Sequence, residues 1–276
     1  MKNVELDFFP GGVKYCITLS YDDGRIEDER LVSLFNKYGL KSTFHLCCDD
    51  WTDRFEFLKE SNAEFVPVEK YAELYKGHEI SCHLAHHPFI YKLPKEALVM
   101  EVYSNKVFLE KLCGYPVRGM SYPFGSTTEE AIIAFKATGM EYARLVGEEP
   151  WYAIPNDFMK WTPTCHHDRA YDFLSDFWYK GAPSMQKMKL MNIWGHSYEI
   201  NSEEKWEYME KLCADISGRD DVWYATNIEV VDYINALKNV KFTSEMTVAY
   251  NPSAIPVWIG VDSKPVEIPA GATVVL

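Results

Sequence analysis

Residues 13–24 read VKYCITLSYDDG. Val13 to Ser20 is an apolar run rich in β-branched and aromatic side chains, which predicts a buried strand. Tyr21-Asp22-Asp23-Gly24 closes it with turn-forming residues. Ile26 to Tyr38 then carries Ile26, Leu31, Leu34, Phe35 and Tyr38 close to helical spacing, with Gly39 as its stop. A strand followed by a helix is one unit of a parallel sheet, and the rest of the chain repeats the unit.

Ser42 to Cys48 is a second predicted strand, Val68 to Lys76 a short helix and His78 to Cys82 a third strand. Pro94 opens a long helix through Leu112, stopped at Gly114. Strands are expected over Arg118 to Tyr122, Tyr142 to Val146, Trp161 to Cys165, Lys189 to Gly195 and Val222 to Thr226. Helices are expected over Thr128 to Thr138, Tyr171 to Trp178, Glu203 to Ile216 and Glu229 to Leu237. Seven or eight alternations predict an α/β fold, a distorted (β/α) barrel of seven or eight strands. An open doubly wound sheet has no glycine-rich phosphate loop here to support it. From Val240 the pattern changes to short strands, Phe242 to Tyr250, Ala254 to Val261 and Pro265 to Leu276. The expected organisation is therefore a barrel over residues 1–239 and a small C-terminal β appendage over 240–276.

Composition narrows the function. The chain has 276 residues and a formal net charge of -13, which disfavours phosphate backbones and anionic membrane surfaces as partners. No run of about 18 apolar residues predicts a transmembrane helix. Met1 to Asp7 carries two acids where a secretory leader needs an apolar core, so a cytoplasmic location is expected. The seven cysteines form no CxxC pair and sit mostly beside apolar residues, as reduced thiols do. Eight Trp, 18 Tyr and 15 Phe could stack on sugars, although in a domain of this size most aromatics belong to the core.

In such a barrel the C-terminal ends of the strands are the first place to look for chemistry. Asp22 and Asp23 follow the first strand; adjacent carboxylates at a turn point different ways, so one can bind a metal while the other acts as a base. His83-Leu84-Ala85-His86-His87-Pro88 follows the third. In helical form His83 and His87 would share a face at a spacing that lets two imidazoles hold one ion; His83 with His86 is the alternative pair. Tyr122-Pro123-Phe124-Gly125 is a rigid turn able to aim a backbone N–H at an oxyanion. His196, closing the strand at Lys189, suits a general acid.

Taken together, these segments resemble the polysaccharide deacetylases, carbohydrate esterase family four. Leu19-Ser20-Tyr21-Asp22-Asp23-Gly24 looks like the family's TFDDG motif, and Gly77-His78-Glu79-Ile80-Ser81-Cys82-His83 running to His87-Pro88 looks like its G-H-E-I-x-x-H-[ST]-x-x-H-P motif. Tyr122 to Gly125 and Ile193 to His196 resemble the third and fifth motifs, and the likeness spans roughly Val13 to Leu237. The resemblance implies a divalent metal, zinc by expectation, on Asp23, His83 and His87. It implies Asp22 as base, the Phe124 backbone N–H at the oxyanion, His196 as acid, and an acetylated carbohydrate as substrate.

Three departures stand out. Leu84 replaces a Ser or Thr. Ser121 stands where the family has an arginine that orients the base, and the nearest arginine, Arg118, is three residues away along the strand, a shift that changes its face. The D-x-x-D-W motif is not visible, but Cys165-His166-His167-Asp168 falls in about its place, making His166 a candidate lining residue. Two rival readings stay open, a related amidohydrolase acting on a non-sugar C–N bond and a catalytically silent sugar-binding protein.

Overall fold

This computed structural model describes residues 2–48, 63–179 and 188–276. In chain order the strands are β1 Val4–Glu5, β2 Tyr15–Asp22, β3 Ser42–Leu46, β4 Glu79–Cys82, β5 Gly119–Ser121, β6 Tyr142–Arg144, β7 Cys165–His166, β8 Lys189–His196, β9 Val222–Tyr224, β10 Lys241–Phe242, β11 Val248–Tyr250, β12 Val257–Val261, β13 Lys264–Ile268 and β14 Thr273–Val275. The α-helices are α1 Asp28–Lys37, α2 Tyr71–Leu74, α3 Lys95–Cys113, α4 Glu129–Ala137, α5 Ala170–Tyr179, α6 Glu203–Ile216 and α7 Asn227–Lys238.

The apolar run at residue 13 decides the centre of the sheet. β2 is buried from Cys16 to Asp22, as a parallel strand covered on both faces should be. It pairs with β8 along its whole length, with β9 at its start and with β3 at its end, all parallel. The path continues from β3 through β4 and β5 to β6, and from β8 to β7, giving seven strands in sequence with β9 attached to β2. The sheet curls until its edges approach: Arg144 on β6 bridges Trp161, and the chain four residues on becomes β7. This is the expected distorted α/β barrel. The strand expected over Trp161 to Cys165 is thus a seam, bonded to β6 at one end and to β8 at the other.

Helix ends follow local chemistry. Thr128, Ser202 and Thr226 cap α4, α6 and α7 by accepting backbone N–H groups, and Gly114 ends α3 in the left-handed conformation.

The C-terminal residues form two small antiparallel sheets, β1-β12-β13 and β10-β11-β14. The strand expected over Phe242 to Tyr250 is two strands, folded back through a turn at Met246, where φ is positive. Val4–Glu5, which carries no strand signal of its own, joins the appendage by pairing with β12. Buried Ala249, Val257, Ile259 and Ile268 share one apolar cluster with α7 and with Phe9, Cys16, Tyr142 and Leu190, so the appendage seals the end of the barrel where the strands begin. The other end is left for the site.

Candidate metal centre at the mouth of the barrel

Register sets the level of the site. Asp22, the last residue of β2, lies opposite His45 on β3 and His196 on β8, while Ser121 on β5 lies opposite Arg144 on β6. Five strand ends thus deliver polar side chains to one layer.

Asp23 follows in a turn with φ of 79°, ahead of Gly24. Gly24 is also left-handed, and a Cβ there would lie 2.9 Å from Leu46, so the tight turn depends on glycine. Asp23 Oδ1 stands 3.5 Å from His83 Nε2 and 3.7 Å from His87 Nε2. The His83–His87 pair is the one assembled, but not on a helix. Residues 83–88 form an irregular bend with positive φ at Leu84 (61°) and His87 (48°), which folds the two rings to 4.7 Å apart. The helical expectation fails because Pro88 disfavours helical backbone before it and because buried partners hold the bend. The His83 N–H is engaged by Leu46 O and by Asn105 Oδ1 at 2.9 Å. His86 turns away, its Nδ1 2.8 Å from Glu101 Oε1 and its N–H donating to Oε2 of the same residue. The alternative pair of His83 and His86 is therefore excluded by the fold.

The chemistry of these donors suits a divalent cation. Burial pushes the imidazoles of His83 and His87 down to about 4, leaving both neutral at ordinary pH. His83 Nδ1 faces the Ser121 carbonyl oxygen at 3.1 Å, an atom that can only accept, so Nδ1 carries the proton and Nε2 turns its lone pair toward Asp23. Asp23 is largely but not fully buried, desolvation raises its pKa, and its Oδ1, which is buried, has no hydrogen-bond partner among the described residues. An orphaned buried carboxylate oxygen beside two neutral imidazole nitrogens is a donor set short of one cation.

Asp22 sits beside this triad in a different environment. Arg144, fully buried, grips both its oxygens, and Ser121 Oγ donates to Oδ1 at 3.1 Å. Burial alone would raise its pKa; the Arg144 charge overrides this and holds Asp22 well below the usual carboxylate range. Arg144 is itself fixed by Ser20 Oγ, by the Leu145 carbonyl and by the Trp194 ring, 4.8 Å away. Arg118 is not part of the site. It binds Asp232 through both guanidinium nitrogens, at 2.6 and 2.7 Å, and also Glu141. The arginine absent from the place of Ser121 on β5 is supplied from β6, the neighbouring strand, at the same level. Its signal in the sequence is a charge inside the apolar strand Tyr142 to Val146, since a guanidinium buried there requires a carboxylate.

His196 closes β8 with Nδ1 3.2 Å from Glu199 Oε2, and its backbone N–H donates to the same oxygen at 2.8 Å. Burial works against its charge, yet the Glu199 contact and the Asp23 and Asp22 charges raise it to about 9. Glu199, a short turn after the motif that ends at His196, was not singled out in the sequence. His166 also reaches Glu199, with Nε2 at 2.9 Å, and so lines the outer side of this network.

Phe124 has φ of 56°, in a turn closed by Gly125 N–H to Tyr122 O at 2.8 Å. Its ring stacks on Phe89 at 4.0 Å and meets the His87 ring edge-on at 4.5 Å, so the turn stands directly beside the triad. Of the eight non-glycine residues with positive φ among those described, four are Asp23, Leu84, His87 and Phe124. Backbone strain is concentrated where the site is.

A curled parallel barrel with an Asp-His-His triad at its strand ends has the layout in which α/β folds build polar sites from the loops following each strand. The polysaccharide deacetylase family model matches residues 11–143, which include β2 to β5, the first two residues of β6 and the triad, and stop short of Arg144 and His196. Over residues 11–143 the chain is similar to the polysaccharide deacetylase family, a family of carbohydrate deacetylases. Two solved structures with TM-scores above 0.5 agree in fold at low identity. A Mycobacterium smegmatis protein assigned to the polysaccharide deacetylases is 13% identical, with a TM-score of 0.60 over 83% of this chain and 93% of that one. The carbohydrate esterase domain of a multidomain xylanase from the hindgut metagenome of Trinervitermes trinervoides is 14% identical, with a TM-score of 0.51 over 83% and 96%. A Bacillus anthracis protein described as a pseudoenzyme of carbohydrate esterase family four is 15% identical, with a TM-score of 0.49 over 81% and 66%. No curated protein matches the chain in sequence.

Proposed function

We propose that the chain is a metal-dependent deacetylase that hydrolyses the acetyl group of an N-acetylated or O-acetylated carbohydrate. The observation that carries this reading is the convergence of Asp23 Oδ1 with His83 and His87 Nε2, beside an ionised Asp22 and a raised His196. Asp23, His83 and His87 would hold a divalent metal, zinc by the nature of the donors. Such an ion, when bound, supplies Lewis acidity that lowers the pKa of water and polarises an acyl oxygen.

The chain's own residues do the rest. Asp22 is held ionised and aimed by Arg144 and Ser121, so it can orient the attacking water and accept its proton. The same pairing makes Asp22 a weak acceptor; positioning is therefore as much a part of its role as basicity. The Phe124 backbone N–H is assigned to the developing oxyanion, in a turn whose strained geometry is fixed before substrate arrives. His196 is protonated at neutral pH and hands its proton to the departing amine or alcohol. Phe89 and Phe124 offer stacked rings beside the triad, a surface suited to a neutral sugar.

The test is acetate release from a panel of acetylated sugars by the purified chain, before and after chelation. Activity that is lost on chelation and restored by zinc or cobalt supports the reading. Full turnover by protein shown to be metal-free would overturn the mechanism, and metal binding with no release from any acetylated substrate would leave a silent sugar-binding protein.

A further inference from the structure

Cys165-His166-His167-Asp168 is not absorbed by the reading above. His166 ends β7, and His167–Arg169 forms a single 3-10 turn after it. His167 is 1% exposed, and neither ring nitrogen has a well-aligned hydrogen-bond partner among the described residues, Nε2 having a contact with Asp168 Oδ1 at 3.3 Å. A buried imidazole of this kind is costly unless something else satisfies it. The ring is held firmly. It stacks on Tyr21 at 5.7 Å and 17° and lies against Gly195, where a Cβ would fall 2.1 Å from Nδ1. With Nδ1 against the β8 backbone, Nε2 points outward, 3.3 Å from Asp168 Oδ1. His166 presents Nδ1 to the same carboxylate, 3.8 Å from Oδ2.

From this arrangement we infer a second divalent-cation site, formed by His166 Nδ1, His167 Nε2 and the Asp168 carboxylate. One donor atom from each lies within 4.8 Å of the others. Ligands about 2.1 Å from a tetrahedral ion stand about 3.4 Å apart, close to the 3.3 Å between His167 Nε2 and Asp168 Oδ1, while His166 Nδ1 lies 3.8 Å from the other oxygen of that carboxylate. The second shell is already in place. Glu199 Oε2 accepts from His166 Nε2 at 2.9 Å, which fixes the proton on Nε2 and leaves Nδ1 as the ligand nitrogen. Among the described residues, that lone pair accepts from the Asp168 N–H at a long 3.3 Å. The Asp168 side chain is 46% exposed, so an ion can enter from solvent and keep water at its open positions. Two imidazoles and one carboxylate favour zinc, cobalt or nickel over magnesium or calcium. The site is separate from the Asp23 triad, and Glu199 touches both His166 and His196.

The experiment is metal stoichiometry on the full chain. Protein stripped with chelator is titrated with cobalt or zinc by calorimetry and then desalted for elemental analysis. Two equivalents are expected, with Asp168→Asn retaining one. Asp168 is half-exposed, so that variant leaves the core intact, and a thermal melt checks it. Asp23→Asn should lose the other equivalent, which reads the proposed catalytic site independently. The inference is overturned if Asp168→Asn binds as much metal as the unsubstituted chain.

Discussion

The floor and the mouth of the barrel each bury a carboxylate, and they treat it in opposite ways. At the floor, Glu79 on β4 accepts from Tyr142 OH at 2.8 Å, Thr43 Oγ1 at 2.8 Å and the Ile228 N–H at 2.9 Å. Both of its oxygens are satisfied, and the appendage closes over the region. At the mouth, Asp23 keeps an orphaned oxygen in a strained turn. A protein can leave buried polar groups short of partners only if something not in its own sequence completes them, or if strain elsewhere is tolerated for function. The contrast is between a carboxylate whose partners all lie within the fold and one that keeps a donor atom free beside two imidazoles.

The largest test breaks the contrast within the mouth itself. Asp22→Asn keeps all three proposed ligands, so metal content should stay near normal while turnover falls by something on the order of a hundred- to ten-thousand-fold. Asp23→Asn should lose metal affinity first, and excess metal should partly rescue it. Elemental analysis beside acetate release distinguishes them; loss of metal in Asp22→Asn with retention in Asp23→Asn would invert the assignment.

Next is the pair of arginines. Arg144→Met leaves the Asp22 charge buried and unpaired, which should cost about 3–5 kcal/mol of stability. Arg118→Met breaks a partly exposed cluster and should cost about 1 kcal/mol or less. Denaturant unfolding of both variants measures the gap, and equal losses would mean that Arg144 is not the buried clamp described.

Glu79→Gln sharpens the comparison from the floor. Burial raises Glu79 from 4.5 to about 7. Its folded-state pKa lies above the unfolded value, so stability is unaffected below about pH 4.5 and falls as pH rises toward 7, where the unfolded chain ionises first. Glutamine cannot ionise. The variant should gain on the wild type by up to about 3 kcal/mol between pH 4.5 and pH 8, followed as the difference in melting temperature. A pH-independent difference would show that Glu79 is ionised in both states.

The smallest effect concerns the leaving group. His196→Ala should slow amide substrates more than activated esters, because an amine needs a proton to depart and a good leaving group does not. Equal losses on both would make His196 a structural residue.

Much of this was legible in the chain. Strand and helix periods over Val13 to Leu237 give the barrel, because apolar spacing is a local property of the sequence. Asp22, Asp23, His83, His87, Phe124 and His196 could be named because they follow predicted strands, where barrels collect their side chains. Tertiary structure decided the rest. Which histidine pairs with His83 depends on a bend at Leu84 and His87 that Asn105, Leu46 and Glu101 hold from elsewhere in the chain. That Arg144 replaces the missing arginine depends on the register of β5 against β6, which sets Ser121 and Arg144 at one level. That Val4–Glu5 joins the appendage depends on β12, more than 250 residues later. Periodicity is written in neighbouring residues, but a partner across the fold is chosen by strand register and burial, and those exist only once the sheet has closed.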